Sequence, residues 1–200
     1  WGKFTHFCDS VFQVVQERKI GDMIIDVRKN PGGDSRLNDT LFRYISSMPF
    51  QQFDHMISRI SDPVRRVYGK NVPAENGIIR MEGGGLIAPR EDSLRYRGRC
   101  YELISHYTFS SAASFAWAFQ YFRMGKAIGE ETGGQVVCFG DIIQYKLPHS
   151  QLPLACSYRK MYQYGGTDDN RHGVLPDYEV PAERALDFTL EFINKQREGT

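Results

Sequence analysis

Strands that alternate with helices predict an α/β fold with a largely buried sheet. Three observations carry this prediction. Apolar runs centred on Met23-Ile24-Ile25 and on Cys100-Tyr101-Glu102-Leu103-Ile104 each end in a turn that leads into helical spacing. After the second run, Ala112, Phe115, Ala116 and Phe119 repeat at i, i+3, i+4 and i+7, the period of one helix face. Finally, 200 residues with 41% hydrophobic content suffice for one domain with a substantial core.

In chain order, Asp9 or Ser10 is expected to cap a helix carrying Val11, Val14 and Val15 that ends near Ile20-Gly21. Asp22 to Arg28 has a continuous apolar centre, which suits a strand buried on both faces. It enters the turn Lys29-Asn30-Pro31-Gly32-Gly33-Asp34-Ser35, and a helix with Leu37, Leu41, Tyr44 and Ile45 on one face follows. Neither GxGxxG nor GxxxxGK[ST] occurs here, which argues against a nucleotide site. The paired glycines serve another purpose, since a turn without Cβ atoms lets backbone N–H groups approach a substrate atom.

Residues 50–98 read as an insertion or cap over one edge of the core, a small helical and loop subdomain. Phe53, Met56, Ile57 and Ile60 form a helical stripe, and Asp62-Pro63 starts a further short helix. Asn76-Gly77 and Gly83-Gly84-Gly85 mark loops between short strands. Beyond the central helix, Lys126 to Glu130 is a short strand and Glu131-Thr132-Gly133-Gly134-Gln135 a second glycine turn. Phe139 to Leu147 and Leu152 to Tyr158 are extended segments joined through Pro148-His149-Ser150. A polar loop, Gly165 to His172, precedes a last amphipathic helix with Ala185, Phe188, Leu190 and Phe192.

Charge narrows the function. A net charge of +1 with both signs interspersed argues against nucleic acid or an anionic membrane as partner. No apolar run is long enough for a transmembrane helix. The chain opens on Trp1 inside a patterned segment with no signal peptide, so it reads as a fragment of a longer protein, the whole of residues 1–200 being its core. Cys8, Cys100, Cys138 and Cys156 lack metal-ligand spacing and read as buried thiols, so no metal or cofactor is expected.

Chemistry concentrates where the second strand turns into its helix, at Thr108-Phe109-Ser110-Ser111. A hydroxyl there has backbone N–H groups and the positive end of the helix dipole beside it, an environment that stabilises an alkoxide or oxyanion. Serine and threonine are also the commonest helix caps, so position alone leaves both roles open.

Three separated pieces together resemble a family. Ile24-Ile25-Asp26-Val27-Arg28-Lys29-Asn30-Pro31-Gly32-Gly33 is similar to the strand and turn of the C-terminal-processing, or tail-specific, serine peptidases. Thr108-Phe109-Ser110-Ser111-Ala112 resembles their nucleophile motif, with Ile128 to Gly134 resembling a following Gly-Glu segment. His172-Gly173-Val174-Leu175-Pro176-Asp177-Tyr178-Glu179-Val180 resembles their closing motif, and the order and spacing cover nearly the whole chain. The resemblance implies a Clp-protease/crotonase-like core, no cofactor, a peptide or unfolded-protein substrate, and a setting outside the bacterial cytoplasm. By position it makes Ser110 the nucleophile and Gly32, Gly33 and the N–H of Ser111 the oxyanion hole, with Thr108 and Gln135 beside the substrate.

Two departures follow. The family's general-base lysine falls on Gln135, and a glutamate three residues beyond the serine falls on Ala113. Glutamine takes no proton, so a Ser–Lys dyad is not available. The tricorn-core branch uses a histidine from a segment preceding this core, which would lie before Trp1. Within the chain, His172 follows Asp168 and Asp169 and is the better candidate; His106, four residues before Ser110, is the other. His6, His55 and His149 have no such argument. A competing reading is a binding module without turnover, since interphotoreceptor retinoid-binding proteins resemble the same core.

Overall fold

The computed structural model describes residues 2–69 and 72–199. Its elements are α1 (Gly2–Glu17), β1 (Asp22–Asp26), α2 (Arg36–Ile45), β2 (Phe53–Ile60), α3 (Asp62–Tyr68), β3 (Gly77–Glu82), β4 (Arg99–Ile104), α4 (Ser111–Tyr121), β5 (Lys126–Gly129), β6 (Val137–Lys146), β7 (Pro153–Gln163), β8 (Tyr178–Glu179) and α5 (Ala185–Glu198). The α/β class is therefore as the sequence predicts.

One sheet is parallel, in the order β1-β4-β5-β8. Its centre is β4, where Tyr101, Leu103 and Ile104 are buried because both faces are covered. On one face α5 packs Ala185 and Ile193 against Tyr101, Leu103 and Ile128. On the other lies α4, apolar along most of its surface because it is largely enclosed, with Ala112, Phe115, Ala116 and Phe119 in the core. Beyond α4, Phe42 of α2 stacks on Phe115 with centroids 4.6 Å apart, and Phe12 of α1 stacks on Tyr44, also at 4.6 Å.

Strand β4 also carries Glu102, fully buried and paired in register with Ile25 and Ala127. Alternation puts its side chain on the same face as Cys100 and Ile104. Neither carboxyl oxygen has a hydrogen-bond partner among the described residues, and burial pushes this carboxyl well above the usual carboxylate range. It folds in as a neutral acid.

The second sheet is antiparallel, in the order β3-β2-β7-β6. Strands β6 and β7 form a hairpin closed through Pro148 to Gln151. The register is unbroken along the pair, Gly140 opposite Arg159 and Ile142 opposite Ser157, and between them Asp141 takes φ +53. Its carboxylate meets Arg159 at 2.5 Å.

Several expectations need correction. Phe53 to Ile60 is strand β2, not a helical stripe; hydrogen-bonded strands on both sides override the local spacing. Asp9 and Ser10 lie inside α1 instead of capping it, and the Ser10 hydroxyl donates to the His6 carbonyl one turn back (2.9 Å). Strand β1 is half-buried because it is the edge of its sheet. Leu190 faces solvent, and Thr189 and Ile193 turn inward. Cys8 and Cys100 are buried thiols, pushed up to about 11 and about 12 chiefly by desolvation, whereas Cys156 is exposed. Among the described residues no helix is long and apolar enough to cross a membrane.

Candidate active site

The loop from β4 to α4 is stitched onto the turn after β1. The Ser105 hydroxyl donates to the Arg28 carbonyl (2.5 Å) and the Thr108 hydroxyl to the Val27 carbonyl (2.9 Å). Phe109 N–H then donates to the Asn30 carbonyl (3.0 Å). These ties deliver Ser110 to the start of α4 at φ +50, ψ −126, a region that costs a residue with a Cβ on the order of 1–3 kcal/mol. The side chain is exposed, caps nothing, and has no hydrogen-bond partner among the described residues.

Gly32 has φ +101 and lies directly against this serine. A Cβ there would stand 2.6 Å from the Ser110 Cβ and 2.9 Å from the Ser111 nitrogen, both impossibly close. The Gly32 N–H donates to Asn30 Oδ1 at 2.9 Å, which fixes the turn. The Gly32 N–H, expected among the oxyanion donors, is thus held by Asn30 here. The N–H groups of Gly33 and Ser111 have no partner among the described residues, and both line one cavity of about 210 Å³. Ile25, Val27, Leu37, Leu41 and Phe115 give that cavity apolar walls.

The second glycine turn closes the other side. A Cβ on Gly134 would meet Ala113 Cβ at 2.6 Å and the Ser110 nitrogen at 2.9 Å, so the small side chain at position 113 and the absent one at 134 permit this approach. Gln135 pairs with Gly173, and Val136 N–H donates to the His172 carbonyl (3.0 Å). His172 is thereby carried next to the turn that touches Ser110. Its Nδ1 donates to the Gly173 carbonyl at 2.6 Å, which leaves Nε2 with the lone pair. His106 instead faces Glu130 at 2.9 Å, and this hydrogen bond is the main reason the Glu130 carboxyl is held below its usual range. That pair lines a larger cleft of about 790 Å³, separated from the apolar cavity by Asn30.

Gly32 on one side and Gly134 on the other thus lie directly against Ser110, and Gln135, which follows Gly134, pairs with Gly173 beside His172. Thr108 is not available to a substrate: it is completely buried, and its hydroxyl is committed to Val27 and to the N–H of Ser105 (3.0 Å). Asn30 of the predicted turn has a role that residue type alone does not reveal: its side chain accepts the Gly32 N–H and its carbonyl accepts that of Phe109.

Residues 2–180 match Peptidase family S41. No curated protein matches the chain at significant similarity. Among solved structures it is similar to mature CPAF complexed with lactacystin, at 16% identity and TM-score 0.66 over 96% of this chain and 46% of that one. It is similar to a photosystem II D1 C-terminal processing protease, at 17% identity and TM-score 0.59 over 92% and 40%. A lipoprotein from Streptococcus agalactiae shares 15% identity and TM-score 0.55 over 97% and 61%. The chain therefore spans roughly 40–61% of the length of these structures. At such identities these likenesses speak for the fold alone, but the family match runs through β1, the Ser110 loop and the Gln135–Gly173 pairing: the chain belongs to Peptidase family S41.

Proposed function

We propose that the chain is the core of a serine peptidase that cleaves peptide bonds through an acyl-enzyme at Ser110. One observation supports this most: a serine in a costly backbone conformation lies against Gly32, beside two unpartnered N–H groups and an apolar cavity. As Ser110 Oγ attacks the peptide carbonyl, His172 Nε2 takes its proton. The carbonyl oxygen, now an oxyanion, is received by the N–H groups of Gly33 and Ser111. Collapse returns the proton from His172 to the departing amine, and water later hydrolyses the ester by the same route. The apolar cavity suits an aliphatic side chain of a peptide or unfolded protein outside the bacterial cytoplasm, and Gln135 stands where the family's lysine would be.

Labelling with a fluorophosphonate and turnover of a peptide library test this. Both are expected to occur at Ser110, to vanish in Ser110→Ala and to fall on the order of 10²-fold in His172→Asn. Labelling that survives His172→Asn unchanged assigns the base elsewhere, to His106 or a histidine outside these residues. Labelling of Ser111 instead of Ser110 refutes the nucleophile. A protein neither labelled nor active would be a binding module, the reading that the unpartnered Ser110 hydroxyl favours.

A further inference from the structure

Gln52 lies just ahead of β2, 4% exposed, in a segment remote in sequence from the site. Its Nε2 donates to the Ser35 carbonyl (2.8 Å) and to Asp39 Oδ1 (2.6 Å), and its Oε1 accepts from Asn38 Nδ2 (2.8 Å). The Asn38 nitrogen also donates to the Ser111 carbonyl at 2.8 Å. A backbone carbonyl only accepts, so the Ser35 carbonyl decides which way the Gln52 amide points and turns Oε1 toward Asn38.

These bonds close a ring. Ser35 ends the turn that carries Gly33, and Gln52 holds it there. Asn30, near the start of that turn, accepts the N–H of Phe109, which precedes Ser110. Asn38 grips the carbonyl of Ser111. The two unpartnered N–H groups thus lie on opposite sides of a loop whose far side is spanned by the Asn38–Gln52 pair. The Gln52 carbonyl in turn accepts Tyr164 N–H (2.8 Å) just beyond β7, which couples the ring to the antiparallel sheet.

We propose that Gln52 is a positioning residue that sets the spacing between the Gly33 and Ser111 N–H groups. The inference rests on the reading of Ser110 as nucleophile with those donors. A purely structural amide would affect stability alone. Gln52→Glu keeps the shape and the acceptor, removes the donors to Ser35, and sets a carboxylate against Asp39.

The full chain is the material for the test, with Thr189→Val as a control of comparable buried disruption far from the site. Thr189 is fully buried in α5 and its hydroxyl donates to the Ala185 carbonyl (2.7 Å). Fluorophosphonate labelling at a temperature well below melting is expected to slow by about ten-fold or more in Gln52→Glu and in Asn38→Ala. Complete loss of one oxyanion donor, on the order of 10²–10³, is the upper bound. Thr189→Val should label at the wild-type rate, and Gln52→Asn should lie between wild type and Gln52→Glu. Labelling of both ring variants at the wild-type rate, whatever their melting temperatures, overturns the proposal. If wild-type Ser110 is not labelled at all, the peptidase reading fails separately, and amide hydrogen exchange decides the positioning role. Faster exchange across residues 30–36 and 110–114 in Gln52→Glu, but not in Thr189→Val, upholds it; unchanged exchange refutes it.

Discussion

Ser110→Gly should abolish fluorophosphonate labelling and yet melt higher than the wild type. At φ +50, ψ −126 the serine Cβ is held in a region that glycine occupies freely. Relief of on the order of 1–3 kcal/mol is expected, and a domain of this size gains roughly 2–4 °C per kcal/mol. Ser110→Ala keeps the Cβ and therefore the strain, so it should be equally unlabelled but melt near the wild type. The pair separates chemistry from conformation. Glycine's greater freedom in the unfolded chain opposes this gain by about 0.5–1 kcal/mol, so a Ser110→Gly protein that melts well below the wild type would show that little strain is stored there.

Glu102→Met should stabilise the protein, increasingly so as the pH rises. Both carboxyl oxygens of Glu102 are buried without partners, and an unsatisfied buried polar group costs about 1–3 kcal/mol. Methionine fills a similar volume without that cost. The pH dependence follows from the raised folded-state pKa. Above about pH 4.3 the unfolded chain releases this proton while the folded chain retains it. Folding then takes up a proton, so wild-type stability falls with rising pH until the folded carboxyl itself ionises. Methionine removes that slope. Melting curves at pH 5, 6.5 and 8 should therefore show a difference between variant and wild type that widens with pH. A constant difference would mean that Glu102 has a partner and is not neutral in the fold.

The parallel half of the fold was legible in the sequence because each strand and its following helix change period within a few residues. Arg99 to Ile104 and the Ala112–Phe119 stripe lie side by side in the chain, so local pattern and tertiary position agree. Strand β2 was illegible for the opposite reason. Its partners are β3, some twenty residues later, and β7, about a hundred residues later, and Phe53, Met56, Ile57 and Ile60 happen to suit a helix as well. The site divides in the same way. Ser110 and the two glycine turns are visible as residue types in order. The commitment of the Gly32 N–H to Asn30 and of the Thr108 hydroxyl to Val27 depends on loop closure, which no spacing reveals. Gln52 carried no signal, since its partners come from a turn, a helix and a distant strand end.

The irregularity at Asp141 bears on how this protein behaves in a crowd. Strand β6 is the outermost of its sheet and shows Phe139 and Ile142 to solvent, 69% and 55% exposed, the composition of a fibril template. A second extended chain needs several consecutive, evenly spaced N–H and C=O groups to grow on such a rim. Asp141, near the middle of this rim, has φ +53 and sets a carboxylate on Arg159 there, a local conformation and a charge that an added strand would have to accommodate. A charged residue at that place in an otherwise apolar rim is the kind of gatekeeper that works against edge-to-edge growth, so Asp141→Val is expected to raise the tendency to aggregate.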